Sequence, residues 1–401
     1  MSINTDENKI QDILERGVEE VIVEEHLKKQ LKFGKKLRIK FGIDPTSADL
    51  HLGHTILLRK LKQFQDLGHQ IILLIGDHTA RIGDPSGRFT TRKMLTEKQV
   101  KQNMKDYTKQ AGKIINLKKT EIRYNSEWYD KKDVRFLMHL ASKFTYAQVI
   151  ARDEFKKRIT KDIDVSMLEL YYPIMQGYDS VELKADVEIG GTDQKFNLLF
   201  GRKVQKKFDM PQQDIITSPL LIGTDGTGKM SKSVGNYIKF TEEASKIYGK
   251  IMSIPDALII HYFKLLTDRP LEEIEKFQEE LRKIDGISPR IIKAELAKEI
   301  VKMYHGAKKA EQAEQEFNKV FRDKKMPTKM ANFKASKEIY PILDLLFEAG
   351  LANSKGEARR LVVGNGVKIN DEIKTDWKEK IKVENGMVIQ VGKLKYVKIK
   401  L

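Results

Sequence analysis

Residues 37 to 75 limit what this chain can fold into more tightly than any other stretch. "LRIKFGID" alternates in character up to Asp44 and breaks at Pro45, as a strand entering a turn does. From Leu52 to Leu67 the apolar residues Leu52, Ile56, Leu57, Leu61 and Phe64 recur at helical spacing, and Gly68 supplies the stop. "QIILLIG" then follows as a wholly apolar strand, the pattern of a strand covered on both faces of a parallel sheet. Strand, turn, helix and strand in that order make a βαβ unit. Further strand candidates stand at "EIRYN" near Ile122, "ADVEIG" near Val187 and "SPLLIG" near Leu221, with helical stretches between them. The spacing predicts a Rossmann-like, doubly wound parallel α/β domain over residues 1–235, with helices at its N-terminal end.

After Lys239 the character changes. Residues 240 to 323 read as helix broken by Pro255, Pro270 and the "DGISPR" turn, so 236–325 is expected to be an α-helical domain. "FRDKKMPTKMANFKAS" is basic, aperiodic and contains a proline, which places a linker at 326–338. Beyond it, 339–401 reads as two helices, "IYPILDLLFEAGL" and "SKGEARRLVVGNG", followed by the short strands "VKIN" and "MVIQVGKLKYVKI", a small α+β domain.

Composition narrows the chemistry. The chain has 401 residues and no cysteine, which excludes disulfides, thiolate metal sites and a cysteine nucleophile. Lys plus Arg number 74 against 57 Asp plus Glu, a formal charge of +17 that favours polyanionic partners, nucleic acid above all. The apolar runs are far shorter than a membrane span, and "MSINTDENKIQDILERG" has no signal-peptide core, so a cytoplasmic protein without membrane contact is expected.

"HLGH" sets His51 and His54 around Gly53 at the first turn of the helix after the first strand. Helix N-termini offer unpaired N–H groups and partial positive charge, where phosphate binds. Gly53 leaves the helix surface bare for a flat purine, and two imidazoles there can donate to a developing pentavalent phosphate. A metal would need a third ligand that the neighbourhood does not offer, so no metal site is expected. A core or helix-capping role competes, and HxGH alone also suits nucleotidylyltransferases. The second piece is "GTGKMSKSVGN", Gly226 to Asn236, a glycine-flanked loop whose Lys229 and Lys232 can swing onto a polyphosphate. A lone KxxK would be read as a solvated turn. Together, and in this order, "HLGH" and "KMSKS" resemble the two signatures of class I aminoacyl-tRNA synthetases.

In "YYPIMQGYDS", Tyr172, Gln176 and Asp179 share one face of a helix, presenting a hydroxyl, an amide and a carboxylate. With "GIDPT", "IGDPSGR" (Ile82 to Arg88) and "IGGTDQKFN", the whole chain is similar to the tyrosyl-tRNA synthetases. The resemblance implies that Asp179 accepts the phenol O–H of tyrosine, that Tyr172, Gln176 and Asp84 hold its α-ammonium, and that Gln194 lies near its carboxyl group. It implies that Gly191 and Asp193 face the ribose of ATP, beside Gly53, Met230 and Ser231. Asp44 and Thr46, with His51 and His54, would line the phosphate path, and Lys229 and Lys232 would clamp pyrophosphate. Many relatives carry a tyrosine two residues before the glycine of "GxDPT"; Lys40 stands there, and a role in tyrosine binding is expected of it.

The tail resembles the S4 RNA-binding domain through "ILDLLFEAGLANSKGEARRLVVGNGVKIN", with Lys355, Arg359 and Arg360 as phosphate contacts. The resemblance further implies ATP with Mg²⁺ and tRNA(Tyr) as partners, anticodon binding by the helical region, and a homodimer; within the sequence, the helical stretch Thr145 to Ile150 and its neighbours near Phe136 are the candidate interface. Tryptophanyl-tRNA synthetase shares the fold and both signatures, but Asp179 and the S4-like tail argue against it. Loss of a signature histidine or lysine would have favoured a non-enzymatic RNA-binding protein on the same core, and all four are present.

Overall fold

The computed structural model describes residues 3–46, 49–86, 95–323, 330–392 and 395–401. They form two compact units, 1–311 and 312–401. Among the described residues, no helix is long and apolar enough to cross a membrane.

The first unit is built on a six-stranded sheet: β1 (Glu20–Ile22), β2 (Arg38–Ile43), β3 (Gln70–Ile75), β4 (Thr120–Tyr124), β5 (Val187–Gly191) and β6 (Asp214–Ser218). Its order is β1-β6-β5-β2-β3-β4, parallel throughout except for β1, which runs antiparallel to β6. The chain therefore winds one way from β2 through β3 to β4, then returns to the other side of β2 as β5 and β6. Along β3, Ile71 to Ile75 are all buried, which is why that strand carries no polar alternation. β2 and β3 pair over six residues, whereas β2 and β5 pair only at Ile39–Val187 and Lys40–Glu188. Beyond those two pairs the strands part.

The helix Leu52–Asp66 starts at His51 and ends with Gly68 at φ +98°, a backbone conformation that suits glycine. The helices Met167–Glu182 and Lys195–Lys207 pack on each other through Gly177, where a Cβ would lie 2.5 Å from Val204 Cγ2 and 3.1 Å from Gly201 Cα. Only a bare Cα permits that approach.

One expectation changes. The last strand of the sheet is "DIITS", buried at every residue, rather than "SPLLIG": Pro219 has no N–H for the ladder, and Ile222 instead bridges to Lys229. As far as residue 311 the helical region and the sheet lie in one compact unit. Arg59 explains part of this, since from the Leu52–Asp66 helix it donates to Leu266 O at 2.8 Å and pairs with Asp268 at 2.5 Å. Within 326–338 the structure is described only in part. Residues 326–329 lie outside the described residues, and Ala331–Lys334 is a strand parallel to Lys395–Lys400. That edge strand is mostly exposed, so it carries no apolar period to betray it.

The second unit joins that strand to Val367–Ile369, Glu372–Ile373, Val388–Val391 and Lys395–Lys400 in one five-stranded sheet. The helices Ile342–Glu348 and Lys355–Val363 cover it, with Leu345, Leu346, Val362, Ile389 and Ile399 in the core.

Gly177→Ala is expected to destabilise the first unit by about 1–3 kcal/mol through overpacking. Adding Val204→Ala should return part of that loss, and thermal unfolding of both variants checks it.

Candidate active site

Where β2 and β5 separate, at the carboxyl ends of the parallel strands, a cavity of about 700 Å³ opens. This is the crevice that a reversal of strand order leaves in an open α/β sheet. Lys40, Asp44, Thr46, His51, Gly53, His54, Asp84, Tyr172, Gln176, Asp179, Gly191, Asp193, Gln194, Lys229, Met230, Ser231 and Lys232 all line it. Every residue that the sequence assigned to the small-molecule site thus faces one space.

At one end the two histidines cap the helix and each other. Gly53 N–H donates to His51 Nδ1 and the His51 N–H donates to His54 Nδ1, both at 3.2 Å. Each Nδ1 is therefore an acceptor, and in the neutral ring the proton sits on Nε2. Removal from water is the main reason that both rings stay neutral: His51 is pushed down to about 2 and His54 to about 4, with Lys232 adding to each shift. A Cβ on Gly53 would sit 3.0 Å from His51 Cε1, so the glycine also makes room for the imidazole. The capping reading and the phosphate reading are thus both served: capping uses Nδ1 and leaves Nε2–H as a donor.

The "KMSKS" loop is tied to the segment that follows β6 by Met230 N–H on Leu221 O (2.7 Å), with the Met230 side chain buried. Asn236 pins it, accepting from Ser231 N–H at 2.8 Å and donating to Asp225. Lys229 pairs with Asp193 at 2.8 Å, so the carboxylate expected to face a ribose holds a loop ammonium here. Burial lowers Lys232 to about 8, which leaves it mostly charged at neutral pH.

The other end is acidic. Asp179 is 2% exposed, and its carboxylate accepts from Trp128 Nε1–H (3.0 Å) and Asn125 Nδ2–H (3.3 Å). Burial raises it to about 7 against the pull of Lys40. Asp44 accepts from Thr79 Oγ1 (2.9 Å) and Tyr172 Oη (3.0 Å), and burial, then the charge of Asp84, raise it to about 7. Gly76 lets Asp44 and Thr79 meet, since its Cβ would fall 2.1 Å from Asp44 Oδ1. Gln194 donates to Asp84 Oδ2 at 2.6 Å, and Gln176 Oε1 is buried with no partner among the described residues.

Lys40 lines the cavity, but its ammonium is committed elsewhere. It pairs with Glu188 at 2.8 Å and donates to Ser180 Oγ (2.8 Å) and Gln176 O (3.1 Å). Three partners account for its three N–H bonds, so it braces the wall rather than presenting a donor to the space. Of "IGDPSGR", Asp84 and Ser86 are placed, while Gly87 and Arg88 lie outside the described residues. Sequence reasoning missed Trp128, Asn125, Thr79, Asn197, Ser180 and Glu188. Ser180 and Asn197 close the stretches "YYPIMQGYDS" and "IGGTDQKFN" but carry no signal of their own there, while Trp128, Asn125, Thr79 and Glu188 lie outside the motifs, and nothing in their local spacing ties them to the site.

In the second unit, Lys355, Arg359 and Arg360 stand exposed on one helix. Lys355 pairs with Asp344 at 2.6 Å, and the Arg359 guanidinium lies 4.3 Å from the Trp377 ring centre.

Residues 31–322 match the family model of class I tRNA synthetases of the tryptophan and tyrosine type, and residues 316–399 match that of the C-terminal domain of tyrosine–tRNA ligases. The tyrosine–tRNA ligase of Thermotoga maritima is 48% identical over 387 residues, 96% of each chain. That of Dehalococcoides mccartyi is 48% identical over 398 residues, 99% of this chain and all of the other. Among solved structures, a truncated mitochondrial tyrosyl-tRNA synthetase of Aspergillus nidulans superposes with TM-score 0.65 at 24% identity, over 78% of this chain and 94% of that one. The tyrosyl-tRNA synthetase of Archaeoglobus fulgidus in complex with L-tyrosine gives 0.60 at 22%, over 77% and 99%. At those identities the superpositions speak to the fold.

Two consequences of the buried charges are measurable. Asp179 titrates near 3.8 in the unfolded chain and about 7 in the folded one. Its contribution to stability is thus full at low pH and is lost as pH rises through that window, where only the unfolded chain gives up the proton. Asp179→Asn should therefore melt above the parent at pH 8, by a margin of about 1–3 kcal/mol that shrinks toward pH 5. Lys40→Met leaves Glu188 buried without its cation and should cost about 3–5 kcal/mol, much of it recovered in Lys40→Met/Glu188→Gln, read by thermal unfolding.

Proposed function

The chain belongs to the class I tRNA synthetases, among the tyrosine–tRNA ligases, and from that premise we propose how its own residues carry the reaction. L-Tyrosine is activated with ATP to tyrosyl-AMP, pyrophosphate leaves, and the tyrosyl group passes to the terminal ribose of tRNA(Tyr). One observation supports the assignment of steps: a single cavity has neutral imidazoles and ammonium groups at one end and, at the other, the buried carboxylate of Asp179 with the half-buried Asp44 and Asp84.

Tyrosine enters phenol first. Asp179 accepts the phenol O–H, with Trp128 and Asn125 holding the carboxylate in place. Asp84, the Tyr172 oxygen and the vacant acceptor Gln176 Oε1 take the α-ammonium, while Gln194 borders the carboxylate. Lys40 serves tyrosine binding at one remove, by holding Ser180, Glu188 and the Gln176 backbone behind Asp179. ATP lies with its purine over Gly53 and its ribose at Gly191 and Asp193, beside Met230 and Ser231. Ribose binding draws on Asp193 and so frees Lys229 for the phosphates.

A carboxylate oxygen of tyrosine attacks the α-phosphorus and the bond to the β-phosphate oxygen breaks. His51 and His54 donate Nε2–H to the phosphate oxygens beside Asp44 and Thr46, and Lys229 and Lys232 neutralise the departing pyrophosphate. Magnesium enters with ATP as its counter-ion, part of the substrate. No side chain becomes acylated; alignment of the reactants supplies much of the rate. In the second step a hydroxyl of the terminal ribose attacks the acyl carbon and AMP leaves.

Lys355, Arg359 and Arg360 contact tRNA phosphates, and the helices of 236–325 meet the anticodon. The active form is a cytoplasmic homodimer, a reading supported by Val134, Met138 and Tyr146, each more than 60% exposed around Phe136 and Thr145–Ile150.

The test is ATP–pyrophosphate exchange with tyrosine, phenylalanine or tryptophan. Tyrosine alone should support it. A site built to bond a substrate hydroxyl rejects the analogue lacking it by about 10⁴–10⁵-fold, a range for which tyrosyl-tRNA synthetases are themselves the reference case. Lys232→Ala should lower kcat by at least about 10²-fold with the melting temperature unchanged. Exchange with tryptophan, or undiminished exchange in Lys232→Ala, contradicts the assignment.

A further inference from the structure

Behind Asp84 lies an arginine that the reaction as described does not use. Arg152 precedes the helix Asp153–Thr160 and is 1% exposed, a fixed cation within the protein. It does not line the cavity, and its guanidinium lies 5.6 Å and 5.5 Å from the ring centres of Phe155 and Phe196. Its Nη1–H donates to Asn197 Oδ1 (3.0 Å), its Nη2–H to Ser86 Oγ, and its Nε–H to Glu154 (3.1 Å). Asp84 Oδ1 stands 3.8 Å from Nη2.

A guanidinium can only donate, and that fixes the direction of every bond downstream. Asn197 must turn its oxygen toward Arg152, so its Nδ2–H faces the cavity side, where it donates to Gln194 Oε1 (2.9 Å) and toward Asp84 Oδ1 (3.4 Å). Gln194, accepting through Oε1, must offer Nε2–H to Asp84 Oδ2. Ser86 Oγ, accepting from Arg152, turns its O–H to Asp84 Oδ1 at 2.7 Å, and Ser86 N–H adds a bond at 2.9 Å. All these donor paths end on one carboxylate. Were Asn197 turned about, Gln194 would have to turn as well and would set an oxygen against Asp84. Asp84 also shares the cavity with Asp44, and the negative charges of the two oppose each other. A buried cation that feeds donors into Asp84 offsets that opposition.

We propose that Arg152 is a positioning residue for the α-ammonium subsite: through Asn197, Gln194 and Ser86 it orients the Asp84 carboxylate that receives the amino group of the substrate. The proposal rests on the reading of Asp84 as the ammonium ligand, and the experiment separates the two. Binding to the full-length protein is measured by calorimetry for three ligands: tyrosine, tyramine, which keeps the ammonium and lacks the carboxylate, and 3-(4-hydroxyphenyl)propionate, which lacks the ammonium. Arg152→Met should weaken tyrosine and tyramine by about 10- to 100-fold, the scale of a hydrogen bond to a charged group. It should leave the propionate within about twofold. Arg152→Lys, which keeps the charge with fewer donors, should restore part of the loss. Asn197→Asp keeps an acceptor for Arg152 but offers Gln194 no donor; it should repeat the ammonium-selective loss, and it serves if Arg152→Met does not fold. Equal weakening of all three ligands, or of none, overturns the positioning role. Asp84→Asn is run alongside. If it spares the ammonium ligands, the reading of Asp84 falls; if it is ammonium-selective while the Arg152 and Asn197 variants are not, the Arg152 proposal falls alone.

Discussion

Strands β2 and β5 touch at two residue pairs and then diverge, and the site exists because they do. In a parallel sheet each crossover must cover one face, so a chain that winds both ways from a central strand leaves the carboxyl ends at the reversal uncovered. The last pair before the gap is Lys40–Glu188, an ion pair almost without exposure. Its burial is tolerable because both ends are saturated: Ser180 and Gln176 O meet the ammonium, and Gln213, Ser180 and Gln176 meet the carboxylate. Those partners tie the Met167–Glu182 helix, which carries Tyr172, Gln176 and Asp179, to the bottom of the fork.

From that fork the polarity of the cavity follows. The floor gathers Asp44, Asp84 and Asp179 from three different elements, with Asp44 close enough for its charge to oppose the other two. Donors from the protein offset this: Trp128 and Asn125 on Asp179, Thr79 and Tyr172 on Asp44, Ser86, Asn197 and Gln194 on Asp84. Such a floor suits a ligand that brings a hydroxyl and an ammonium. The mouth has the opposite sign through Lys229 and Lys232, while the two imidazoles stay neutral and contribute direction more than charge. A zwitterion and a polyanion can therefore occupy one space without either meeting its own sign.

Much of this was legible along the chain. The helix at Leu52 and the apolar strand at Gln70 follow from spacing, because amphipathic period and burial are local properties. Tyr172, Gln176 and Asp179 on one helix face follow from 3.6 residues per turn, and the N-terminal position of "HLGH" from the strand before it. Other features were hidden for stated physical reasons. "SPLLIG" looks more apolar than "DIITS", yet Pro219 cannot join a ladder and the shorter run pairs with β5. Ala331–Lys334 shows no pattern because it lies at an edge whose partner is more than sixty residues away.

The sequence alone determined which residue types would gather at the cavity, since they reside in short motifs whose side chains share a turn or a helix face. Tertiary structure alone decided who holds them. Lys40 is spent on Glu188 instead of pointing into the slot, Nδ1 of each histidine is taken by backbone, and Asp84 ends a line of donors running from Arg152 through Asn197. Hydrogen bonds have direction and saturate, and a group's share of them is set by neighbours from remote parts of the chain, which no local pattern records.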